Sequence, residues 1–297
     1  MTTSPSTGLP AGIRPGGRFA EWRRPTPAYV VCDVDGTLVG PRVDATDEVV
    51  EAVQRAQGAG LRVGVATGRM PLGVEALVRQ LGATGPHVMH NGAEVRHEGR
   101  TIAAWSLGLD QVAQLLTFTG SRDDAYLEVY TDEGFWVSSW DERARTHWDI
   151  LGHEPLGVVD DAQALAGQAI PKITMTVFDT AAVPAVIAGI ERLGLLVGQA
   201  DSPRAPELHF VNATSPDSDK GRALARASEH LDLELSSTVA IGDAANDRSM
   251  LAVAGTAIAM GQAPAEIQAL AHLVVPEVDA HGVAVALDAV RTWRTPA

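Results

Sequence analysis

The sequence predicts an α/β protein, in which a Rossmann-like, doubly wound parallel sheet forms a core domain and an α+β cap domain is inserted into it. From residue 29 onward, short apolar runs alternate with segments whose apolar residues recur at helical spacing. Such alternation is typical of a parallel sheet with helices on its faces. The middle of the chain departs from this pattern, and the departure predicts the insertion.

The strands predicted for the core are short and apolar. They span residues 29–33, 62–66, 87–90, 238–242, 256–259 and 272–275. Between them, residues 47–53 and 72–78 carry apolar side chains at helical spacing. Because ligands of such sheets bind outside the carboxyl ends of the strands, polar residues at those ends are candidate site residues.

Residues 106–208 are predicted to form the cap, which leaves 28–105 and 209–297 for the core. Four segments of the cap alternate like half-buried strands, and three helical patterns lie among them. The strand patterns span residues 125–130, 134–138, 172–177 and 207–211, and the helical patterns span 109–118, 140–149 and 182–193. The cap also holds most of the aromatic residues. Five of its side chains are candidate substrate contacts, although packing is the favoured role for each: Trp136, Trp140, His147, Trp148 and Lys172.

The N-terminal residues 1–27 are rich in Thr, Ser, Pro, Gly and Arg. This composition predicts a disordered tail. Phe19 and Trp22 are the residues that would anchor its end to the core or to a partner.

Charge and composition narrow the partners. Lys and Arg number 23 against 37 Asp and Glu, for a net charge of −14, and no basic patch is visible, so nucleic acid is not an expected ligand. No segment has the length and apolar character of a membrane span, and the N-terminus lacks the apolar core of a signal peptide. The single cysteine, Cys32, has no partner for an internal disulfide, which fits the cytoplasm as the expected location. The sequence leaves the oligomeric state open.

Residues 33–37, with the sequence DVDGT, follow the first apolar run and are the most informative stretch of the chain. Residues i and i+2 of a strand share a face, so the carboxylates of Asp33 and Asp35 are expected to lie on the same side of the strand end. Two crowded carboxylates favour a hard cation such as Mg²⁺, which is usually held by carboxylates, phosphate oxygens and water. Since Asp and Gly are also common turn formers, this stretch alone is equally compatible with an ordinary turn.

Three further polar signals follow in the order that a phosphoryl-transfer site needs. Thr67 and Gly68 end the second strand, where a hydroxyl and backbone N–H groups can hold phosphate oxygens. Lys220 places an ammonium at the start of a helical pattern, and Asp243 follows another apolar strand and can supply a third carboxylate. The carboxyl ends of these strands meet at one edge of the sheet, so the residues can converge.

These motifs resemble those of the haloacid dehalogenase-like hydrolase superfamily, in particular its Cof-type phosphatase branch. The matching stretches are residues 33–37 (DVDGT), 67–69 (TGR), 90–93 (HNGA), 220–221 (KG), 242–247 (GDAAND) and, near the end, 281–284 (HGVA). The resemblance extends from residue 29 to the C-terminus, with a long insertion between two of the motifs. It implies a C2B-type cap over residues 106–208.

The chemistry of these side chains, supported by the resemblance, predicts a Mg²⁺-dependent phosphatase acting through an aspartyl-phosphate. Asp33 is the expected nucleophile, and Asp35 the expected general acid and base. Mg²⁺ would be held by Asp33, Asp243 and, in the family, the backbone carbonyl of Asp35, while Asp247 would steady the metal shell.

The remaining predicted roles concern the substrate, which is expected to be a small phosphomonoester such as a sugar phosphate. Thr67, Gly68, Lys220 and Asn246 are expected to bind the phosphoryl oxygens. The Asn91 amide, in an Asn-Gly turn at a strand end, is a candidate substrate contact, and an ordinary turn is equally compatible with its position. Two alternative functions stay open from the sequence: a phosphosugar mutase on the same scaffold, and a non-catalytic phosphometabolite-binding protein.

Overall fold

A computed structural model of the chain describes residues 9–40, 44–202 and 205–294. Within these residues the chain forms two compact units. The first unit comprises residues up to 69, residues 74–103 and residues from 219 onward, and the second comprises 70–73 and 104–218.

The first unit is built on a sheet that has nine strands among the described residues. With strands and helices labelled in chain order through both units, those of the first unit are β1 (Arg14–Pro15), β2 (Tyr29–Asp33), β3 (Arg62–Ala66), β4 (His87–Met89), β5 (Glu94–His97), β6 (Arg100–Ala104), β12 (Thr238–Gly242), β13 (Thr256–Ala259), β14 (Leu273–Val274), α1 (Asp47–Gly58), α2 (Glu75–Leu81), α6 (Lys220–His230), α7 (Arg248–Val253), α8 (Ala265–Leu270) and α9 (Gly282–Arg291). The strand order across the sheet is β1-β14-β13-β12-β2-β3-β4-β5-β6.

Six neighbouring strands of this sheet, β14 to β4 in that order, run parallel. Strand β2 lies at the centre between β12 and β3, and all five of its residues are buried. A strand that is covered on both faces is expected to be apolar throughout, as the sequence YVVC before Asp33 is. The parallel core confirms the predicted α/β class, and each of the six predicted core strands is present.

Helices cover both faces of the sheet because successive side chains of each strand point to opposite sides. Helices α1 and α9 pack together on one face, where Val30 and Cys32 of β2 join their apolar residues in one cluster. Within α1 the buried residues Val49, Ala52, Val53 and Ala56 recur at helical spacing and form its inner stripe. Helices α6 and α7 pack together on the opposite face.

The second unit contains an antiparallel five-stranded sheet in the order β10-β11-β9-β7-β8. Its elements are α3 (Leu109–Gly120), β7 (Ala125–Thr131), β8 (Gly134–Val137), α4 (Arg145–Leu151), β9 (Lys172–Val177), α5 (Val183–Glu191), β10 (Leu196–Ser202) and β11 (Ala205–Thr214). One face of the sheet buries alternate apolar residues such as Leu127 and Val129 with Leu115 of α3 and Ile190 of α5. This unit has the α+β character predicted for the cap.

The end of the predicted cap at residue 208 is wrong. Strand β11 continues to Thr214 and pairs with β9, with Phe210 opposite Thr176 and Asn212 opposite Thr174. Residues 209–218 therefore belong to the second unit, and the chain returns to the first unit at Asp219. The predicted strand pattern at 207–211 captured only the middle of this long strand.

The prediction of a disordered tail over residues 1–27 is also wrong for residues 14–22, while residues 1–8 lie outside the described part of the chain. Strand β1 pairs antiparallel with β14 at the edge of the sheet. The indole of Trp22 donates a hydrogen bond to the Thr256 hydroxyl at 3.0 Å, and its ring lies 5.2 Å from that of Trp293. Backbone pairing and one aromatic contact order a segment whose composition favours disorder.

None of the helices in the described ranges has the length and apolar character needed to span a membrane.

Candidate active site

The candidate site lies at the carboxyl ends of the central parallel strands of the first unit. Asp33 is the last residue of β2, Thr67 directly follows β3, and Asp243 directly follows β12. The register places Cys32 beside Ile241 and Asp33 beside Ala66. The three polar side chains thus lie at one edge of the sheet, because the strands that precede them are adjacent and run in the same direction.

Lys220 connects two carboxylates at this edge. Its Nζ atom lies 2.5 Å from Asp33 Oδ1 and 2.6 Å from Asp247 Oδ1, and all three residues are buried. Lys220 begins α6, where the Asp219 carboxylate caps the helix by accepting from the backbone N–H of Gly221 and of Arg222. The cap fixes the start of the helix and, with it, the position of the ammonium.

Burial sets the electrostatics of this cluster. It raises the pKa of Asp33 well above its ordinary value, and the carboxylates of Asp247 and Asp243 add to this, whereas Lys220 acts against it. Burial alone would lower the pKa of Lys220, but its contacts with Asp33 and Asp247 raise it above the ordinary value. Lys220 therefore remains an ammonium, which stabilises the charged form of its two partners.

Asp243 supplies the third carboxylate. Asp33, Asp243 and Asp247 each have a carboxylate oxygen that lies within 4.8 Å of the corresponding oxygens of the other two residues. Asp243 Oδ1 accepts from the Thr37 hydroxyl at 3.0 Å, and Gln262 Nε2 lies 3.4 Å from Asp243 Oδ2. Burial raises the pKa of Asp243, and the Thr37 hydrogen bond opposes this shift. Three oxygen donors at this spacing are a set that suits a hard divalent cation.

Backbone N–H groups of the loop after β12 hold the Asp247 carboxylate. Its Oδ2 atom accepts from the backbone N–H groups of Asp243 and Ala244 at 2.9 and 3.0 Å. Gly242 lies so close to Asp247 that a Cβ atom there would meet its carboxyl carbon at 2.6 Å. The glycine is required for this close approach.

The loop after β2 is tightly wound. The backbone N–H of Gly36 donates to the Val39 carbonyl at 2.8 Å, and Gly36 has a φ of +89°. A Cβ atom at this position would run into the Asp243 carboxylate. Gln262 Nε2 also donates to the Gly36 carbonyl at 2.5 Å. Only glycine suits both the conformation and the space.

The carboxylate of Asp35 does not join the cluster of Asp33, Asp243 and Asp247. It is 62% exposed and faces Arg69, whose Nε lies 3.1 Å from Asp35 Oδ2 and whose terminal nitrogen lies 2.5 Å from Oδ1. A planar guanidinium matches a carboxylate in this two-point way. The structure places Asp35 at the rim of the site, two residues beyond Asp33.

Three of the predicted phosphate-binding residues, Thr67, Gly68 and Asn246, lie near one another, whereas Lys220 contacts Asp33 and Asp247. Thr67 is fully buried and its hydroxyl accepts from the backbone N–H of Arg69 at 3.1 Å. Asn246 Nδ2 donates to Asn91 Oδ1 at 3.0 Å, and a Cβ atom on Gly68 would lie 3.0 Å from the same oxygen. Asn91, Asn246 and Gly68 therefore form one polar patch next to Thr67.

The sequence interpretation missed three residues of the site. Thr37 belongs to the DVDGT stretch but was given no role, although it contacts Asp243. Arg69 belongs to the TGR stretch and contacts Asp35. Gln262 lies in a loop that carries no recognisable pattern, and only the tertiary structure brings it to Asp243 and Gly36.

The candidate contacts in the cap differ in their surroundings. Trp148 is buried, whereas Trp140 is 59% exposed and packs edge-on against it. His147 Nδ1 lies 2.8 Å from Glu128 Oε1, and Lys172 Nζ lies 4.1 Å from the centre of the Tyr130 ring. Trp148, His147 and Lys172 thus have packing or hydrogen-bonding roles within the second unit.

The sequence profile of a family described as haloacid dehalogenase-like hydrolase matches residues 30–287. The chain belongs to this family. Relatives include the 5-amino-6-(5-phospho-D-ribitylamino)uracil phosphatase YwtE of Bacillus subtilis (strain 168), which is 28% identical over 87% of this chain and 96% of that protein. An HMP-PP phosphatase of Cronobacter sakazakii is 27% identical over 82% of this chain and 88% of that protein.

Solved structures agree with this haloacid dehalogenase-like assignment at the level of the fold. A phosphatase of the superfamily from Bacteroides thetaiotaomicron, BT1666, superposes with a TM-score of 0.73 at 22% identity, covering 96% of this chain and 99% of that chain. The subclass IIB sugar phosphatase BT4131 superposes with a TM-score of 0.72 at 22% identity, covering 88% and 98%. The predicted membership in the Cof-type branch is confirmed, and the protein is a hydrolase of the phosphatase type.

Proposed function

We propose that this haloacid dehalogenase-like enzyme is a Mg²⁺-dependent phosphatase that hydrolyses a small phosphomonoester through an aspartyl-phosphate on Asp33. The observation that carries the proposal is the buried cluster in which Lys220 bridges Asp33 and Asp247, with Asp243 alongside. An acidic pocket of this kind binds an anionic phosphate only if a cation offsets part of its charge.

The donor set fits Mg²⁺. Three carboxylates and one ammonium leave an excess of negative charge, and the three carboxylates offer oxygen atoms within 4.8 Å of one another. Asp33 and Asp243 would hold the ion, with Asp247 supporting them through its hydrogen bonds to the backbone of residues 243 and 244. Bound there, Mg²⁺ would supply Lewis-acid polarisation of the phosphoryl group.

Asp33 is the nucleophile in the first half-reaction. Lys220 holds its Oδ1 atom and so fixes the rotation of the carboxylate. A carboxylate oxygen of Asp33 attacks phosphorus, the bond from phosphorus to the leaving oxygen breaks, and Asp35 donates a proton to that oxygen. The product alcohol departs and the phosphoryl group remains on Asp33.

Asp35 acts as the base in the second half-reaction. It removes a proton from water, the water oxygen attacks phosphorus, and the bond to Asp33 breaks to give inorganic phosphate. The exposed position of Asp35 at the rim is suited to contact with both a leaving group and a water molecule. Its pairing with Arg69 keeps the carboxylate in one orientation between the two steps.

Thr67, Gly68, Asn91, Asn246 and Lys220 would bind the phosphoryl oxygens. Donors fixed around the site before reaction stabilise the charge that develops in the transition state. The contact of Asn246 with Asn91 Oδ1 leaves the Asn91 N–H groups oriented as donors. The substrate we propose is a small phosphorylated metabolite, a choice supported by the relatives, which are phosphatases of a phosphoribitylamino-uracil and of HMP-PP.

The test is phosphate release from a panel of phosphomonoesters, measured with Mg²⁺ and with a chelator. We expect turnover that needs Mg²⁺ and is lost in Asp33→Asn, while the matched change Asp232→Asn, in the turn that follows α6, leaves it intact. Asp232 is exposed and has a φ of 55°, which asparagine also accepts. Isomerised phosphosugar without free phosphate would establish a mutase instead, and binding without any turnover would refute catalysis.

A further inference from the structure

Two consecutive residues at the carboxyl end of β4 have left-handed backbones. His90 has a φ of 51° and Asn91 a φ of 57°. This conformation costs an L-residue roughly 1–2 kcal/mol, although asparagine accepts it better than most residues. Non-glycine residues keep such conformations only when the surrounding structure holds them, and they are concentrated at functional sites.

Backbone hydrogen bonds join this turn, residues 90–92, to the loop of residues 67–69, the TGR loop. The N–H of His90 donates to the Arg69 carbonyl at 3.1 Å, and the N–H of Asn91 donates to the Thr67 carbonyl at 2.9 Å. Gly92 follows with a φ of 102°, and a Cβ atom there would collide with the backbone of Asp219. The turn is thus confined between the TGR loop and the residue that caps α6.

The side chain of His90 packs beside the hairpin formed by β5 and β6. The imidazole is fully buried, and its Nε2 atom lies 3.8 Å from Oε2 of Glu94, which is 1% exposed. Glu94 Oε1 in turn accepts from the Thr101 hydroxyl at 2.7 Å and lies 3.4 Å from Arg96 Nε. Both side chains are buried and adjacent, so displacement of His90 would open a gap beside the Glu94 carboxylate.

The functional end of the turn is the Asn91 amide. Its Oδ1 atom accepts from Asn246 Nδ2 at 3.0 Å, and the amide lies against Gly68. Rotation of the backbone at residue 90 out of the left-handed region would redirect the side chain of the next residue. The Asn91–Asn246 contact therefore depends on the conformation of His90.

We infer that His90 and Glu94 are positioning residues, which hold the left-handed turn so that the Asn91 amide is aimed at the phosphoryl group of the substrate. The identity of that group rests on the proposed function. Neither side chain touches the reacting atoms, since both are buried. Glu94 lies beside the buried imidazole and limits its movement, and His90 fixes the backbone that carries Asn91.

The inference is tested by His90→Gly, which removes the imidazole and accepts the left-handed backbone without strain. We expect KM for a phosphomonoester and Kd for inorganic phosphate to rise together by roughly tenfold, the value of one hydrogen bond to a charged group, and kcat to fall as well, since Asn91 is also proposed to stabilise charge in the transition state. Glu94→Gln should give a smaller change in the same direction. His97→Gly, on the same hairpin, is the control and should leave both constants as in wild type.

A double-mutant cycle separates positioning from simple stabilisation. If His90 acts through Asn91, then His90→Gly adds nothing to KM in an Asn91→Ala background. A persistent effect in that background, or a lower melting temperature with unchanged KM and Kd, would overturn the inference. Should His90→Gly not fold, His90→Asn takes its place, because asparagine keeps the backbone conformation and lacks the imidazole.

A measurement without turnover distinguishes this inference from the proposed function. The side-chain amide resonance of Asn91, identified by its loss in Asn91→Ala, should shift in His90→Gly and stay in place in His97→Gly. An unmoved resonance would contradict the positioning role whatever the activity. A wild-type protein that neither hydrolyses phosphomonoesters nor binds inorganic phosphate would refute the proposed function, while the resonance still decides whether His90 sets the orientation of Asn91.

Discussion

Arg69 holds both carboxylate oxygens of Asp35, with Nε 3.1 Å from Oδ2 and a terminal nitrogen 2.5 Å from Oδ1. The two residues follow neighbouring strands, β2 and β3, and their contact spans the loops at the carboxyl edge of the sheet. One arginine thereby fixes the direction of the carboxylate proposed as acid and base.

Arg69→Met is expected to lower kcat by roughly tenfold or more, since Asp35 loses its fixed orientation, and misplaced catalytic groups are costly. The pair is partly exposed, so the free energy of unfolding should change by less than about 1 kcal/mol. Steady-state kinetics and urea unfolding check both statements. Arg62→Met, at the exposed start of β3, is the control, and equal kcat in the two variants would show that the contact has no catalytic effect.

Lys220→Met should destabilise the protein strongly. It leaves Asp33 and Asp247 buried without their shared ammonium, and breaking a buried pair in this way costs about 3–5 kcal/mol. Arg222→Met, on the same helix but 53% exposed, should cost far less. Urea unfolding of both variants tests this expectation. Added Mg²⁺ should partly restore the stability that Lys220→Met loses. If Lys220→Met were as stable as Arg222→Met, the ammonium would have no part in holding the carboxylates.

The second unit should show a pH-dependent stability that traces to Lys172. Burial lowers the pKa of Lys172 to about 8 from 10.5, and Glu128 opposes the shift. The folded form then binds fewer protons than the unfolded chain between these values, so this residue makes stability rise with pH, by at most about 1.4 kcal/mol per pH unit. Below about pH 8 the penalty for burying the ammonium is fully present.

The measurement compares urea unfolding of wild type and Lys172→Met at about pH 7 and about pH 9.5. The variant should gain on wild type at the lower pH, and the gain should shrink at the higher pH. The comparison removes contributions that both proteins share, including those of the buried tyrosines. A difference between the two proteins that stays constant with pH would contradict the assignment to Lys172.

Gly36→Ala should inactivate the enzyme and destabilise it by more than about 1 kcal/mol, because the added Cβ meets the Asp243 carboxylate and the left-handed φ disfavours alanine. Gly58→Ala is the opposite case. Gly58 ends α1 in open space, so alanine there should stabilise the helix by about 0.5–1 kcal/mol. The melting temperature and the activity of both variants are the measurements. Retained activity in Gly36→Ala would show that this tight turn is not needed for the geometry of the site.

The sequence predicted the core strands and the strand-end residues well because those signals are local. Asp33, Thr67 and Asp243 each follow an apolar run, and parallel pairing then brings them to one edge. The contact of Lys220 with both Asp33 and Asp247 could not be read from the chain, since residues 187 and 27 positions apart meet only in the folded protein.

Elements that depend on a partner strand were the ones that sequence reasoning missed. Arg14 and Pro15 have no strand pattern, and they form β1 because the exposed edge of β14 supplies backbone partners. The exact end of the cap was missed for a related reason, since β11 takes its length from pairing with β9 and β10. The side-chain pattern of a strand indicates which of its faces is buried. It carries little information on where backbone pairing with a neighbouring strand ends.

The discontinuous first unit has a consequence for the order of events on the ribosome. Its central strand, β2, is made early, but its neighbour β12 is separated from it by the whole of the second unit, which comes almost entirely from one continuous stretch. Domains generally fold as units while the chain emerges. The second unit can therefore fold first during synthesis. Until residues 238–242 emerge and form β12, one edge of β2 has no pairing partner. Nascent chains arrested before residue 238 should resist protease over 104–218 and be cut within 29–66, and the reverse pattern would refute this order.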